Sequence, residues 1–108
     1  MMRAAMLGAA TLAWTGLAMA QPAKPPAQGV LVSAEAGDIA CYLGIRDEAG
    51  QSRRWMAEFE LCDGARARIG RRFALSWREG NVQHPDCQGN PDCRRTQRVL
   101  LIVGMNPL

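Results

Sequence analysis

Four cysteines, Cys41, Cys62, Cys87 and Cys93, sit in a chain of 108 residues, all of them behind an apolar leader. An even number of cysteines in a short exported chain reads as a disulfide framework, because thiols oxidise outside the cytoplasm. The leader is residues 1–20. Arg3 precedes an apolar run from Ala4 to about Leu17, and Ala18, Met19 and Ala20 close it with small residues in an A-x-A pattern. That combination is a secretory signal peptide, since the run is too short and too rich in Ala and Gly for a stable membrane span. No Cys follows Ala20 to take a lipid. The expectation is a periplasmic or secreted protein beginning at Gln21, with no transmembrane segment after cleavage.

Two disulfides matter energetically in a chain this short. A domain of fewer than about 90 residues buries only a little over 60% of its unfolded surface, which leaves a thin margin against conformational entropy. Each bridge adds roughly 2–4 kcal/mol. Three connectivities are open to four cysteines. The preferred one joins Cys41 to Cys62 and Cys87 to Cys93, the second closing a polar loop on itself. Simple hairpin register brings Cys62 nearer Asp38 than Cys41, so the first pair requires a bulge or twist.

Residues 21–28 contain Pro22, Pro25 and Pro26 without apolar periodicity and read as a flexible Pro-rich arm. The folded domain is expected over 29–108. Short apolar runs there alternate with Gly, Asp and Asn, and none sustains a helical period over three turns. A strand over Val30 to Ser33, extending toward Glu35, precedes the turn at Gly37 and Asp38. Ile39, Cys41, Leu43 and Ile45 then share one face at period two. Residues 47–52 make a hairpin loop, and the returning strand turns Trp55, Ala57, Phe59 and Leu61 inward, with Arg54, Met56, Glu58 and Glu60 outward. Ala65 to Ile69 is long enough only for a helical turn. Arg71 to Arg78 alternates again around Phe73, Leu75 and Trp77. A polar loop is expected from Glu79 to about Thr96, followed by a last strand from Gln97 to Val103. That strand is apolar on both faces and so suits a central position.

Five strands with a short insertion between the third and fourth resemble the OB-fold, a small barrel that removes exposed strand edges. The fold class is therefore all-β, an OB-like barrel with one short helical turn and two disulfides. An open sandwich or an SH3-like barrel is the alternative. The segments GDIACYLGIRDEAG, WMAEFELC and DCQGNPDC are similar to those of small exported bacterial proteins. The resemblance implies a compact binding or structural module.

Candidate chemistry is sparse. His84, Cys87 and Cys93 lack the paired C-x-x-C spacing of structural zinc sites. Asp86, Gln88, Asn90 and Asp92 place oxygens at alternate positions of the Asp86 to Cys93 loop, as in a calcium loop, but without a closing bidentate Glu. That spacing more often marks a tight turn. No C-x-x-C redox pair and no nucleophile elbow is present, and Glu58 and Glu60, on one expected strand face, are flanked by Arg residues that suit surface pairing. No cofactor is expected and the protein reads as no enzyme.

Of 13 basic residues only Lys24 is a lysine, and the formal net charge is +3. Arg53, Arg54, Arg66, Arg68, Arg71, Arg72, Arg78, Arg94, Arg95 and Arg98 could track a phosphate backbone. Single-strand binders also need exposed aromatic platforms, and only Tyr42 falls outside the expected core, so nucleic acid is not the expected partner. The leading expectation is a non-catalytic module of the cell envelope that binds a protein or an envelope polymer, with the Arg46, Arg53, Arg54 and Arg72 side of the sheet, together with the long polar loop, as its candidate surface. Metal binding by the Asp86 to Cys93 loop, and polyanion binding by the Arg-rich surface, are the alternatives.

Overall fold

In the computed structural model, which describes residues 24–108, one bent strand sets the architecture. The expected signal peptide and the start of the arm lie outside the described residues. Strand β1 (Gln28–Ala36) pairs antiparallel with β2 (Cys41–Arg46) and, through Gln28, Gly29 and Val30, with β4 (Arg72–Gln83). β2 pairs with β3 (Ser52–Ala57), and β5 (Thr96–Pro107) lies between β3 and β4. The order β1-β2-β3-β5-β4 closes on itself, with β3 and β5 parallel at Ala57 and Ile102. This is the five-stranded OB-like barrel, and its closure decides against the open sandwich. Among the described residues no helix is long and apolar enough to cross a membrane.

Serving two neighbours forces β1 to turn sharply. A register shift between Leu31 and Ser33 leaves Val32 as a bulge. At Gly29 a Cβ would stand 2.7 Å from the Arg46 carbonyl oxygen and 2.5 Å from Ile45 Cγ2. The backbone oxygen cannot rotate away, so Gly29→Ala is expected to destabilise the barrel by about 1–3 kcal/mol through overpacking. Gly104→Ala is the matched control, because its Cβ would meet only Ser76 atoms at 3.4 Å. Chemical denaturation of the two variants checks the contrast, and equal midpoints would refute it.

The core is built from inward residues at period two. Leu31, Cys41, Leu43, Ile45, Phe73 and Ile102 are each no more than 1% exposed. Trp55 and Trp77 pack against this cluster and meet edge to face, ring centroids 4.9 Å apart. Trp77 Nε1–H donates to the Pro26 carbonyl at 2.8 Å, and the Leu75 N–H donates to the Ala27 carbonyl at 2.9 Å. The last residues of the expected arm therefore belong to the barrel: Gln28 is already in β1, and Pro26 is pinned over the tryptophan pair.

Four further expectations are corrected. β3 stops at Ala57 where a strand to Leu61 was expected. Glu58 begins a short 3-10 turn over Phe59–Cys62, a second follows over Ala65–Arg68, and a third spans Pro85–Cys87, where one helical turn was expected. The physical reason is the first disulfide. In the observed register Cys41 faces Ala57, so a straight strand would carry Cys62 five residues beyond its partner, whereas the turn folds it back to a Cα–Cα distance of 5.6 Å. The second turn corresponds to the expected one and inserts Ala65 into the core as a plug at 2% exposure. The expected polar loop from Glu79 to Thr96 is shorter, because residues 79–83 continue β4 and pair with residues 96–100 of β5. β5 likewise outruns the expected Gln97 to Val103, and starts and ends in longer pairing with β4.

The long ribbon changes which of its faces meets the body of the protein. Phe73, Leu75 and Trp77 face the core, yet further along the same strand it is Gly80 and Val82 that are covered, on the opposite face. β5 has a matching register shift opposite Ser76 and Trp77. Ile102 therefore fills the barrel, while Leu101, at 6% exposure, packs on the other side near Gly80. This explains a last strand that is apolar on both faces.

Candidate binding site

Where β3 gives way to its 3-10 turn, the covered face of the ribbon and the β1–β2 turn enclose a groove of about 610 Å³. Its floor is apolar, with Ala40, Ala57, Val82 and Leu101 all buried. Phe59 stands at its wall and is 50% exposed. The rim carries Asp38, Glu58 and Glu60 against the single guanidinium of Arg78. Arg78 is committed to Glu58 at 2.9 Å, so Asp38 and Glu60 give the rim a negative surplus.

The groove depends on the chain's departure from simple alternation. Had β3 run on to Leu61, Phe59 would have entered the core and Glu58 and Glu60 would have shared one strand face. With Glu58 at the end of the strand and Glu60 inside the turn, both instead line the groove beside an aromatic ring. Phe59 is the residue that sequence reasoning misplaced. The signal that could have moved it was present: a Cys62 that must reach Cys41 cannot lie on a straight extension of the hairpin.

The four candidate arginines do not make one surface. Arg46 and Arg72 both pair with Val30 and so lie in one outward row across β2, β1 and β4. Arg54 is one row away on the outer face, where its guanidinium lies 4.8 Å from the Tyr42 ring centroid and 3.5 Å from Glu35. Arg53 is on the other face of β3, opposite Ile45, at a barrel-mouth cavity of about 470 Å³ that Trp55 and Lys24 also line. Arg72 is paired with Glu48 at 2.8 Å. Tyr42 and Phe59, the two exposed or half-exposed aromatic rings outside the barrel, stand beside different charges: Arg54 for the first, carboxylates for the second.

The loop of residues 84–95 is held by its own contacts. Cys87 and Cys93 are bonded to each other, and no cysteine among the described residues is free. His84 Nδ1 accepts from the Asp86 N–H at 3.1 Å, and the Asp86 carboxylate meets Arg95 at 3.2 Å. Asn90 Oδ1 accepts from the Asp92 N–H at 2.9 Å, closing a local turn. Gln83 Nε2 donates to the Asn90 carbonyl at 2.6 Å and ties loop to ribbon. Five of the candidate zinc and calcium donors, His84, Asp86, Cys87, Asn90 and Cys93, are therefore engaged with neighbours within the loop. Among the described residues no group of three or more His, Cys, Asp or Glu is arranged so that it could hold a metal ion.

No protein-family model matches the chain, and no curated protein or solved structure is significantly similar to it. What the fold and groove define is a class: a small OB-like barrel braced by two disulfides, with an apolar, acid-rimmed groove between its β1–β2 turn and its β4–β5 ribbon.

Proposed function

We propose that this protein is a non-catalytic binding module exported to the cell envelope, and that it takes a protein segment or an envelope polymer in the groove walled by Phe59. The observation that carries the reading is Phe59 itself. A half-exposed aromatic ring beside an apolar floor is held there by a turn that the Cys41–Cys62 bridge fixes in place. Rigid aromatic rings in concave sites contribute disproportionately to binding. OB barrels commonly take ligands between the corresponding β1–β2 and β4–β5 loops, so the groove's position supports the same reading by analogy. Export is supported by the signal-like residues 1–20 and by two bridges of a kind that persist in oxidising compartments.

Polyanion binding is the weaker reading. Five of the ten arginines that could track a phosphate backbone, Arg54, Arg72, Arg78, Arg95 and Arg98, already have carboxylate partners, and the exposed Phe59 is flanked by acids that would repel phosphate. Metal binding by the Asp86 to Cys93 loop loses its two sulfur donors to the disulfide. The test is retention of envelope-extract components on immobilised oxidised protein. A component retained by the native protein is expected to be lost with Phe59→Ser and kept with Arg46→Gln. Retention unaffected by Phe59→Ser would remove the groove from the function.

A further inference from the structure

On the turn that follows the one carrying Phe59, the chain displays the chemical complement of that groove. The second 3-10 turn and the residues after it carry Arg66, Arg68 and Arg71 around Ile69, which is 47% exposed. Among the described residues, the ion pairs of the molecule involve other cations, so these three guanidinium groups meet no carboxylate within 4 Å. The exposure of Ile69 does not come from a loose loop. Ala65 is locked in the core, the Gly70 N–H donates to the Leu31 carbonyl at 2.8 Å, and the Leu31 N–H donates to the Arg71 carbonyl at 3.0 Å. The barrel thus holds an apolar side chain out among exposed arginines that are its near neighbours in sequence.

We infer that this knob docks into the groove of a second copy of the chain, Ile69 entering beside Phe59 while Arg66 and Arg68 face Asp38 and Glu60. The inference rests on the groove being a binding surface and names one occupant for it. Charge complementarity selects that occupant: the groove has surplus carboxylates around an apolar floor, and the knob has surplus guanidinium groups around an apolar tip. Knob and groove are different patches, so two copies either exchange them reciprocally across a two-fold axis or each copy joins two neighbours in a chain or ring. A contact this small is weak, with a dissociation constant of about 10 µM to 1 mM as for low-end transient interfaces. It is also salt-sensitive, because exposed charges are screened beyond about 3 Å at 1 M salt.

Sedimentation equilibrium of the oxidised protein across concentration tests this. The weight-average mass is expected to rise with concentration at low salt and to fall toward the monomer value at high salt, with at least about a 10-fold loss of association constant. A knob variant, Arg66→Gln with Arg68→Gln and Ile69→Ser, and a groove variant, Asp38→Asn with Phe59→Ser and Glu60→Gln, are each expected to remain monomeric. Mixed, they should form a 1:1 complex and nothing larger, since one intact knob and one intact groove remain. A native protein that stays monomeric at millimolar concentration overturns the inference, as does association that survives in both variants. A monomer that instead floats with phosphatidylglycerol vesicles through its knob also overturns it and makes the knob a lipid contact. If the native protein is monomeric but Phe59→Ser still abolishes retention of an envelope component, self-docking alone fails and the groove's role as a binding site stands.

Discussion

Removing the Cys41–Cys62 bridge as the Cys41→Ala, Cys62→Ala double variant lowers the thermal midpoint by roughly 12–24 °C, at about 4–8 °C per kcal/mol for a domain of this size. The bridge spans 21 residues, and closing such a loop in the unfolded chain accounts for about 3 kcal/mol. Roughly 4–13 kcal/mol is all that a domain of this length holds. Cys41 is fully buried, and Cys62 packs against the same core, so truncation also empties space beside Leu43 and Ala57. The Cys87–Cys93 bridge spans only 6 residues and is not part of the main core cluster, so its removal is expected to cost about 2.4 kcal/mol at most and to leave that cluster intact. Differential scanning calorimetry of the two double variants measures the contrast. Equal midpoints, or a fully reduced protein that melts at the oxidised temperature, would show that the barrel does not depend on its first cross-link. The same variant should also lose the groove, because the turn carrying Phe59 has no other covalent tie to β2.

Phe73→Ala is the second large effect. Phe73 is the largest fully buried side chain, and β4 sets it opposite Gly29 on one side and Pro107 on the other. Truncating a buried Phe typically costs about 3–5 kcal/mol, from lost burial and the cavity left behind. The neighbours cannot collapse into that cavity easily, since β1 is already held against Arg46 at Gly29. With both disulfides intact the variant is expected to fold with a strongly lowered urea midpoint, and with them reduced to be largely unfolded at 37 °C. An unfolding free energy within about 0.5 kcal/mol of native would contradict the placement of Phe73 at the centre of the barrel.

The two predictions also mark where the sequence was readable. Period-two alternation over Cys41, Leu43 and Ile45, and over Phe73, Leu75 and Trp77, reports burial directly, because a strand with one wet face has no other way to hide those side chains. The same rule failed at Phe59 and Leu61. Alternation there was as regular as in β3, but a covalent bond to Cys41 outweighs a propensity of a few tenths of a kcal/mol per residue and turns the chain out of the sheet. It failed again at Gly80 and Val82, which read as loop because Gly, Asn and Pro cluster around them. What makes them strand is pairing with residues 96–100, a long-range contact that local pattern cannot express.

Of the candidate site, the acids were visible and the groove was not. Glu58 and Glu60 stood out as a close pair, but their joining with Asp38, Val82 and Leu101 depends on three segments distant in sequence. Arg46, Arg53, Arg54 and Arg72 read from the sequence as one side of the sheet. The register separates them, since adjacent residues on a strand point to opposite faces and Arg53 therefore goes to the barrel mouth while Arg54 goes outside.

The amino-acid sequence alone determined the class of fold, the preference for two cross-links and most of the interior, because burial and turn chemistry are written residue by residue. The tertiary structure decided where β3 ends, which face of the ribbon is covered and therefore where Phe59 stands. Those outcomes are set by closure, in which one barrel must satisfy five pairings and a fixed sulfur–sulfur contact at once, and no single segment contains that constraint.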